Sequence, residues 1–323
     1  MRKGCDRKNN AHPSKMALSV TSNTLSFLKL IRWPNLVITG ICLLVFHIKL
    51  LHSAHRFHIH LTLSGATFIT FVISMLCVMA AGYVVNDLED QKTDACNKPE
   101  KQWIPHPFSQ LVAVKFIWIL TAIGAMTTVV TAIIVGNWKW SLLYPVFWIS
   151  LYFYTKKLKG SGFIGNLFIA LLSALVPLTL LLPEGQLIQR LRAANELYLI
   201  YLFLGFAVFA FFTSFFRELV KDLEDEPGDR LAGIKTFAVH RGIHKAKKLA
   251  IAAGLFNCLV TGMASVLIFT EISSKILLFV IAIAQAGLVL KTKTASTSSD
   301  FKTISTISKG ILACGLLTAW LAL

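Results

Sequence analysis

The sequence predicts an all-α protein, a multi-pass membrane helical bundle of nine transmembrane helices. Three observations predict it. The 323 residues are 55% hydrophobic and only 15% charged, where an ordinary soluble domain carries roughly 25% charged residues, and the mean hydropathy is +0.65. The apolar residues gather into nine long runs with short polar links between them. The basic residues fall overwhelmingly on one side of the alternation those runs create.

A membrane helix needs about 20 mainly apolar residues. The runs lie at 36–51, 62–86, 112–135, 138–154, 163–183, 197–216, 249–270, 275–291 and 305–323. They lack the ten-residue alternation of barrel strands, so each is read as a helix. Ahead of them, residues 1–28 form a polar, basic N-terminal segment expected to be disordered. Residues 29–323 are expected to form a single transmembrane domain. No cleavable signal peptide is expected, because the first apolar run begins late and no small-residue cleavage pattern follows it.

With the N-terminus inside, only Lys49, Arg56, Lys139, Arg190, Arg192 and Lys275 of the 32 Lys and Arg fall on the outer side. That asymmetry follows the positive-inside rule. The net charge of +16 is therefore read as topology, and no nucleic-acid partner is expected. The six cysteines, at 5, 42, 77, 96, 258 and 314, form no CxxC pair and several lie inside spans. They read as small apolar fillers or free thiols, without a disulfide or metal framework.

Four inner loops follow, at 87–111, 155–162, 217–248 and 292–304. Two of them open alike. NDLEDQKTD (86–94) leaves the second span, and KDLEDEPGD (221–229) leaves the sixth. Asp87, Asp90 and Asp94 match Asp222, Asp225 and Asp229 at identical spacing. At 100° per residue the first three fall on one helical face with Asn86 beside Asp90, and Glu89 points away. Glu218, Asp222, Asp225 and Asp229 share a face in the same way, with Pro227 and Gly228 expected to break the helix before Asp229.

Like charges clustered on one face repel unless cations neutralise them. A solvated acidic helix end would explain one such motif. Two copies at the inner ends of two spans, in a basic protein, point instead to Mg²⁺ held between them around a diphosphate, since Mg²⁺ favours one or two carboxylates with waters and substrate phosphates. Lys92, Lys98, Lys156, Lys157, Lys221, Lys235, Arg217 and Arg230 lie in the same inner loops. A departing diphosphate needs that positive charge. The Phe-rich stretch around 202–218 could stabilise a cation, although packed or lipid-facing Phe is the plainer reading.

Together these stretches resemble the UbiA-type superfamily of intramembrane prenyltransferases. The resemblance runs through IRWPN (31–35), NDLEDQKTDACNKP (86–99), YTKKLKGSGFIGN (154–166) and RELVKDLEDEPGDRLAGIKT (217–236). It implies a nine-helix bundle that binds an isoprenyl diphosphate through Mg²⁺. By the resemblance, Asn86, Asp87, Asp90 and Asp94 face Asp222, Asp225 and Asp229 as metal ligands, with Asp87, Asp90, Asp222 and Asp225 the catalytic core. Arg32, Asn35, Lys98, Tyr154, Lys156, Asn166 and Lys221 are the implied diphosphate and substrate contacts. The interior of the first motif is Leu88-Glu89, where family members often carry an aromatic residue.

The second motif is most similar to the branch that geranylgeranylates geranylgeranylglycerol phosphate. The expected activity is therefore Mg²⁺-dependent transfer of an isoprenyl group, expected to be geranylgeranyl, from its diphosphate to a lipid acceptor. The alternative is an aromatic quinone precursor of the 4-hydroxybenzoate, dihydroxynaphthoate or homogentisate type. An ion-coupled secondary transporter is the rival from another class, since carboxylates and internal repeats occur there too. The expected location is the cell membrane, with the N-terminus and active site facing the cytoplasm. Membrane lipids are expected neighbours, and no protein partner is inferred.

Overall fold

The computed structural model describes residues 20–97, 102–269 and 271–322. Among these residues the fold is built entirely of helices. They run α1 (Val20–Leu30), α2 (Trp33–Arg56), α3 (Ala66–Glu89), α4 (Gln91–Asn97), α5 (Gln110–Val135), α6 (Leu143–Phe153) and α7 (Phe163–Leu178). The second half follows as α8 (Gly185–Ala193), α9 (Tyr198–Ala232), α10 (Phe237–Arg241), α11 (Ile243–Leu267), α12 (Ile272–Thr294) and α13 (Ser298–Leu321). Helix α1 begins inside the 1–28 segment for which disorder was expected.

Eight helices among the described residues are long and apolar enough to cross a membrane, one fewer than the nine spans expected. The difference lies in the fourth run, 138–154. It is helical throughout, but it is divided into a 3₁₀ turn (Trp138–Leu142), α6, and a π turn (Tyr154–Leu158). Pro145 explains the first division. A proline lacks the N–H that an interior position donates, so it sits in the first turn of a helix, and α6 begins two residues ahead of it.

Helix α9 is the hub. It packs against α7, α11 and α13 in the membrane, and against α4 and α10 beyond it. Its phenylalanines fill the core. Phe203 and Phe216 are almost wholly buried, and the Phe46 ring on α2 lies 4.6 Å from Phe203 and 5.0 Å from Phe206. The plainer reading of the Phe-rich stretch therefore accounts for most of it. The other main pairings are α3 with α5 and α11 with α12. Gly124 lets α5 approach both α6 and α3: a Cβ there would meet the Tyr144 ring at 2.1 Å and the Cys77 Cβ at 3.0 Å.

The outward faces are apolar. On α5, Leu111, Trp118, Met126 and Ile133 are all strongly exposed and recur every seven or eight residues, forming one stripe. Such a stripe is stable in lipid and not in water. On the side away from the acidic motifs, Glu184 ties two links together. Its carboxylate accepts from the backbone N–H of Thr62 at 3.1 Å and of Leu63 at 3.0 Å.

A smaller apolar cluster holds the inner ends of the helices. Leu30 and Ile31 pack with Ala80, Val84, Ile104, Phe108 and Ala113. This cluster fixes α1 and the segment before α5 against the end of α3, where the first acidic motif begins.

Candidate active site

The first motif straddles two helices. Helix α3 ends at Glu89, Asp90 is its C-cap, and α4 restarts at Gln91. The helical hydrogen bonding continues across the joint, with Asp90 N–H donating to Asn86 O at 2.9 Å and Asp94 N–H to Asp90 O at 2.8 Å. The expected common face of Asp87, Asp90 and Asp94 is therefore kept. Asp90 is buried; Glu89 is exposed, as its helical position requires.

Each aspartate has a cationic neighbour. Arg32 donates to Asp87 Oδ1 at 2.7 Å, and its guanidinium lies 4.9 Å from the centre of the Tyr83 ring. Arg32 is the N-cap of α2 in the left-handed region, at φ 53°. That conformation costs a non-glycine residue about 1–2 kcal/mol, and the ion pair holds it. Lys159 donates to Asp90 Oδ2 and, at 3.3 Å, to Asn86 Oδ1. Asn86 Nδ2 in turn donates to Asp90 Oδ2 at 2.6 Å.

The second motif corrects one expectation. The helix does not break at Pro227-Gly228; α9 continues to Ala232 with Pro227 inside it, and Asp229 is buried. The true stop is Gly233 at φ 74°, where Ile234 N–H donates to Asp229 O at 2.9 Å and Gly233 N–H to Arg230 O at 3.3 Å, the Schellman arrangement. The turn around Pro227 is also bonded from outside the helix. Asn97, at the end of α4, donates to Asp225 O at 2.9 Å and accepts from Gly228 N–H at 2.9 Å. Asn166, on α7, donates to Asp222 Oδ2 at 2.8 Å.

The two motifs face one another. Asp229 lies in electrostatic range of Asp90, Lys159 and Lys221 as well as Asp225. Tyr154 stands between the motifs, in range of Glu218 and Asp222 on one side and Asp90 on the other. Below them is a cavity of about 170 Å³. Its mouth is polar, with Asn35, Tyr83, Ser214, Arg217, Glu218 and Lys309; its depth is apolar, with Ile38, Cys42, Met79, Phe206, Leu312 and Leu316 among the lining residues.

The carboxylates suit Mg²⁺ of a particular kind. Among the described residues no three His, Cys, Asp or Glu side chains converge on one point, so there is no all-protein metal cage. The charge is nonetheless unbalanced. Burial first, and then Asp90 and Asp87, push the Asp94 carboxyl up to about 6 despite Lys159 and Lys221. A hydrated Mg²⁺ shared between one or two carboxylates and a diphosphate fits that spacing.

Most of the expected site residues are brought together here: Arg32, Asn35, Asn86, Asp87, Asp90, Asp94, Tyr154, Asn166, Lys221, Asp222, Asp225 and Asp229. Asn35 donates to Tyr83 Oη at 3.2 Å at the cavity mouth. Lys98 lies outside the described residues. Lys156 is drawn aside, donating to Glu89 Oε1 at 2.5 Å. The π turn is the reason: its wider ring, closed by Lys159 N–H on Tyr154 O at 2.8 Å, turns Lys159 toward Asp90 and Lys156 toward the surface. Two residues of the site, Lys159 and Asn97, were missed in the sequence. Lys159 sat in the same Lys-rich string as Lys156. Asn97 had no signal beyond its place in NKP.

Residues 50–309 match the model of the UbiA prenyltransferase family. This chain belongs to the UbiA prenyltransferase family. It is a prenyltransferase embedded in a membrane. It is 29% identical, over 79% of its own length and 86% of the relative's, to the digeranylgeranylglyceryl phosphate synthase of Methanobrevibacter smithii. It is 30% identical to the enzyme of the same name from Methanosarcina mazei, over 73% and 78% of the two chains. The fold matches a solved structure concerned with digeranylgeranylglyceryl phosphate synthase in membranes, with a TM-score of 0.62 and 22% identity over 93% and 98% of the chains. It also matches a UbiA homologue from Archaeoglobus fulgidus bound to GPP and Mg²⁺, with a TM-score of 0.50 and 16% identity over 91% and 99%.

Proposed function

We propose that this prenyltransferase moves a geranylgeranyl group from its diphosphate to a hydroxyl of geranylgeranylglyceryl phosphate, with Mg²⁺, at the cytoplasmic face of the cell membrane. One observation carries the reading: two facing acidic motifs, threaded with Lys159, Lys221 and Arg32, stand at the mouth of a cavity that is apolar in its depth. The diphosphate head belongs at the mouth and the prenyl chain in the depth. The names of the relatives favour a glycerophosphate lipid over an aromatic acceptor.

Asp87, Asp90, Asp94, Asp222, Asp225 and Asp229, with Asn86, would hold Mg²⁺. Bound there, it would supply the positive charge that a departing diphosphate needs. Lys159 and Lys221 add to that charge. The allylic C1–O bond breaks with its electron pair leaving on the diphosphate. The acceptor oxygen bonds to C1, and its proton passes to water at the mouth. Asn166 orients Asp222 at this centre, with Tyr154 close by.

The test is purified protein with Mg²⁺, geranylgeranyl diphosphate and geranylgeranylglyceryl phosphate, read by mass spectrometry. The digeranylgeranyl product should appear, stop with EDTA, and return with Mg²⁺. Transfer to 4-hydroxybenzoate or homogentisate instead would overturn the acceptor. Undiminished turnover in EDTA would overturn the metal site.

A further inference from the structure

Two further cations stand at the mouth of the cavity, with Lys309 in electrostatic range of Arg32 and Lys221. Lys309 is the twelfth residue of α13, about 16 Å along a spanning helix. It lines the cavity and makes no hydrogen bond or ion pair among the described residues. Arg217 lines the same cavity from α9, in electrostatic range of Lys309. One of its nitrogens, Nη1, donates to Glu218. Its Nε–H is buried without an acceptor.

An ionisable group within a membrane helix is costly, and one that persists there faces a partner or a substrate. A buried donor left unpaired costs free energy in the same way. Glu218 offsets one of the two positive charges. Glu218 is also in electrostatic range of Lys309, so one carboxylate faces two cations, and both cations line the space where a substrate would lie. Guanidinium and ammonium together are the chemistry that binds a phosphate.

We propose that Arg217 and Lys309 form a second anion site, separate from the paired aspartates, that takes the phosphate monoester of the acceptor lipid. The inference rests on the lipid-acceptor reading above and deepens it. Arg217 lies five residues before Asp222 on α9, about 7 Å deeper along the axis. The acceptor's free hydroxyl is on the same three-carbon glycerol unit as its phosphate. A phosphate held by Arg217 and Lys309 therefore keeps that hydroxyl within a few bonds of the diphosphate-bearing end of the donor. The acceptor's own chain then runs into the apolar depth beside Leu312 and Leu316.

The experiment compares two acceptors, geranylgeranylglyceryl phosphate and its dephosphorylated alcohol, in the wild-type protein and in Lys309→Met and Lys309→Arg. Loss of one charged contact should raise KM for the phosphorylated acceptor about tenfold or more in Lys309→Met. KM for geranylgeranyl diphosphate and for the alcohol should stay near wild type, and Lys309→Arg should retain most of the wild-type preference. A parallel rise in the KM of the diphosphate donor would overturn the proposal, because the cations would then serve the donor. An equal loss with both acceptors would also overturn it.

A binding arm separates this outcome from failure of the acceptor reading. In EDTA, with no donor and no turnover, geranylgeranylglyceryl phosphate should raise the melting temperature of the wild-type protein and not that of Lys309→Met. If the wild-type protein binds the phospholipid but makes no product, the acceptor assignment falls and the anion site stands. If it shows no shift, the anion site falls whatever the product assay gives.

Discussion

The side chain of Asn97 accepts a hydrogen bond from the backbone N–H of Gly228 at 2.9 Å. This contact joins the end of one acidic motif to the interior of the other, and Gly228 permits it: a Cβ there would come within 2.5 Å of the Asn97 amide. Gly228→Ala should therefore displace the Asn97 amide and break its two hydrogen bonds to the α9 backbone. The expected result is a higher Mg²⁺ concentration for half-maximal activity, with the prenyl acceptor KM little changed. Asn97→Ala leaves the Gly228 N–H unpaired and should cost about 1–3 kcal/mol of stability, measured by thermal unfolding in detergent. Full Mg²⁺ affinity in both variants would show that the contact does not position the motifs.

Asp90 and Asp225 provide the direct test of the acidic motifs. Asp90→Ala and Asp225→Ala should each lower kcat by about 10²–10³ or more, the scale on which removal of one electrostatic stabiliser acts. Both proteins should remain folded and membrane-inserted, as judged by size-exclusion chromatography and helical circular dichroism. Near-normal turnover in either would remove that residue from the site.

The Asp94 carboxyl sets a pH dependence. Burial, with Asp90 and Asp87, raises it from 3.8 to about 6 in the folded protein. The folded state thus holds this proton more tightly than the unfolded chain does. Without metal, stability should fall as pH rises from about 4 to about 6 and level off above that. Mg²⁺ requires the deprotonated form, so protons compete with it below about pH 6. Melting curves in EDTA and in Mg²⁺ should converge at pH 5 and separate at pH 7.5. An equal Mg²⁺ effect at both pH values would exclude Asp94 as a ligand.

Glu184 serves as a control away from the chemistry. Glu184→Ala strands the N–H groups of Thr62 and Leu63 and should cost about 1–3 kcal/mol. The Mg²⁺ dependence of the remaining folded enzyme should be unchanged. An altered Mg²⁺ requirement would mean that the two ends of the bundle are coupled.

The parts of the site legible in the sequence were those carried by period and repetition. Asp87, Asp90 and Asp94 kept their common face because the hydrogen bonds of the helix persist across the α3–α4 joint. Span lengths were legible from hydropathy, since lipid tests each segment by length and apolarity alone. What escaped depended on groups far apart in the chain. Pro227 looked like a helix end because local rules see only the lost N–H; Asn97, 131 residues from Gly228, bonds the backbone on either side of it. Lys156 and Lys159 could not be ranked, because a π turn shifts which lysine faces inward and leaves no compositional mark. Lys309 sat within an otherwise apolar run, and only the packing of α13 on α9 gave it a neighbour.

Helix α9 has 35 residues and so extends about 50 Å, well beyond a hydrocarbon layer of about 30 Å. One rigid rod therefore belongs to two solvents. Its phenylalanines pack in the apolar part of the bundle while its acidic motif, with Asp229 buried, lies beyond it, and on the proposed function the bond to be broken sits where the two meet. A substrate that is half salt and half wax can then react without either half changing phase. The oil–water boundary itself aligns the reactants, and the enzyme needs only to hold their polar ends in register along it.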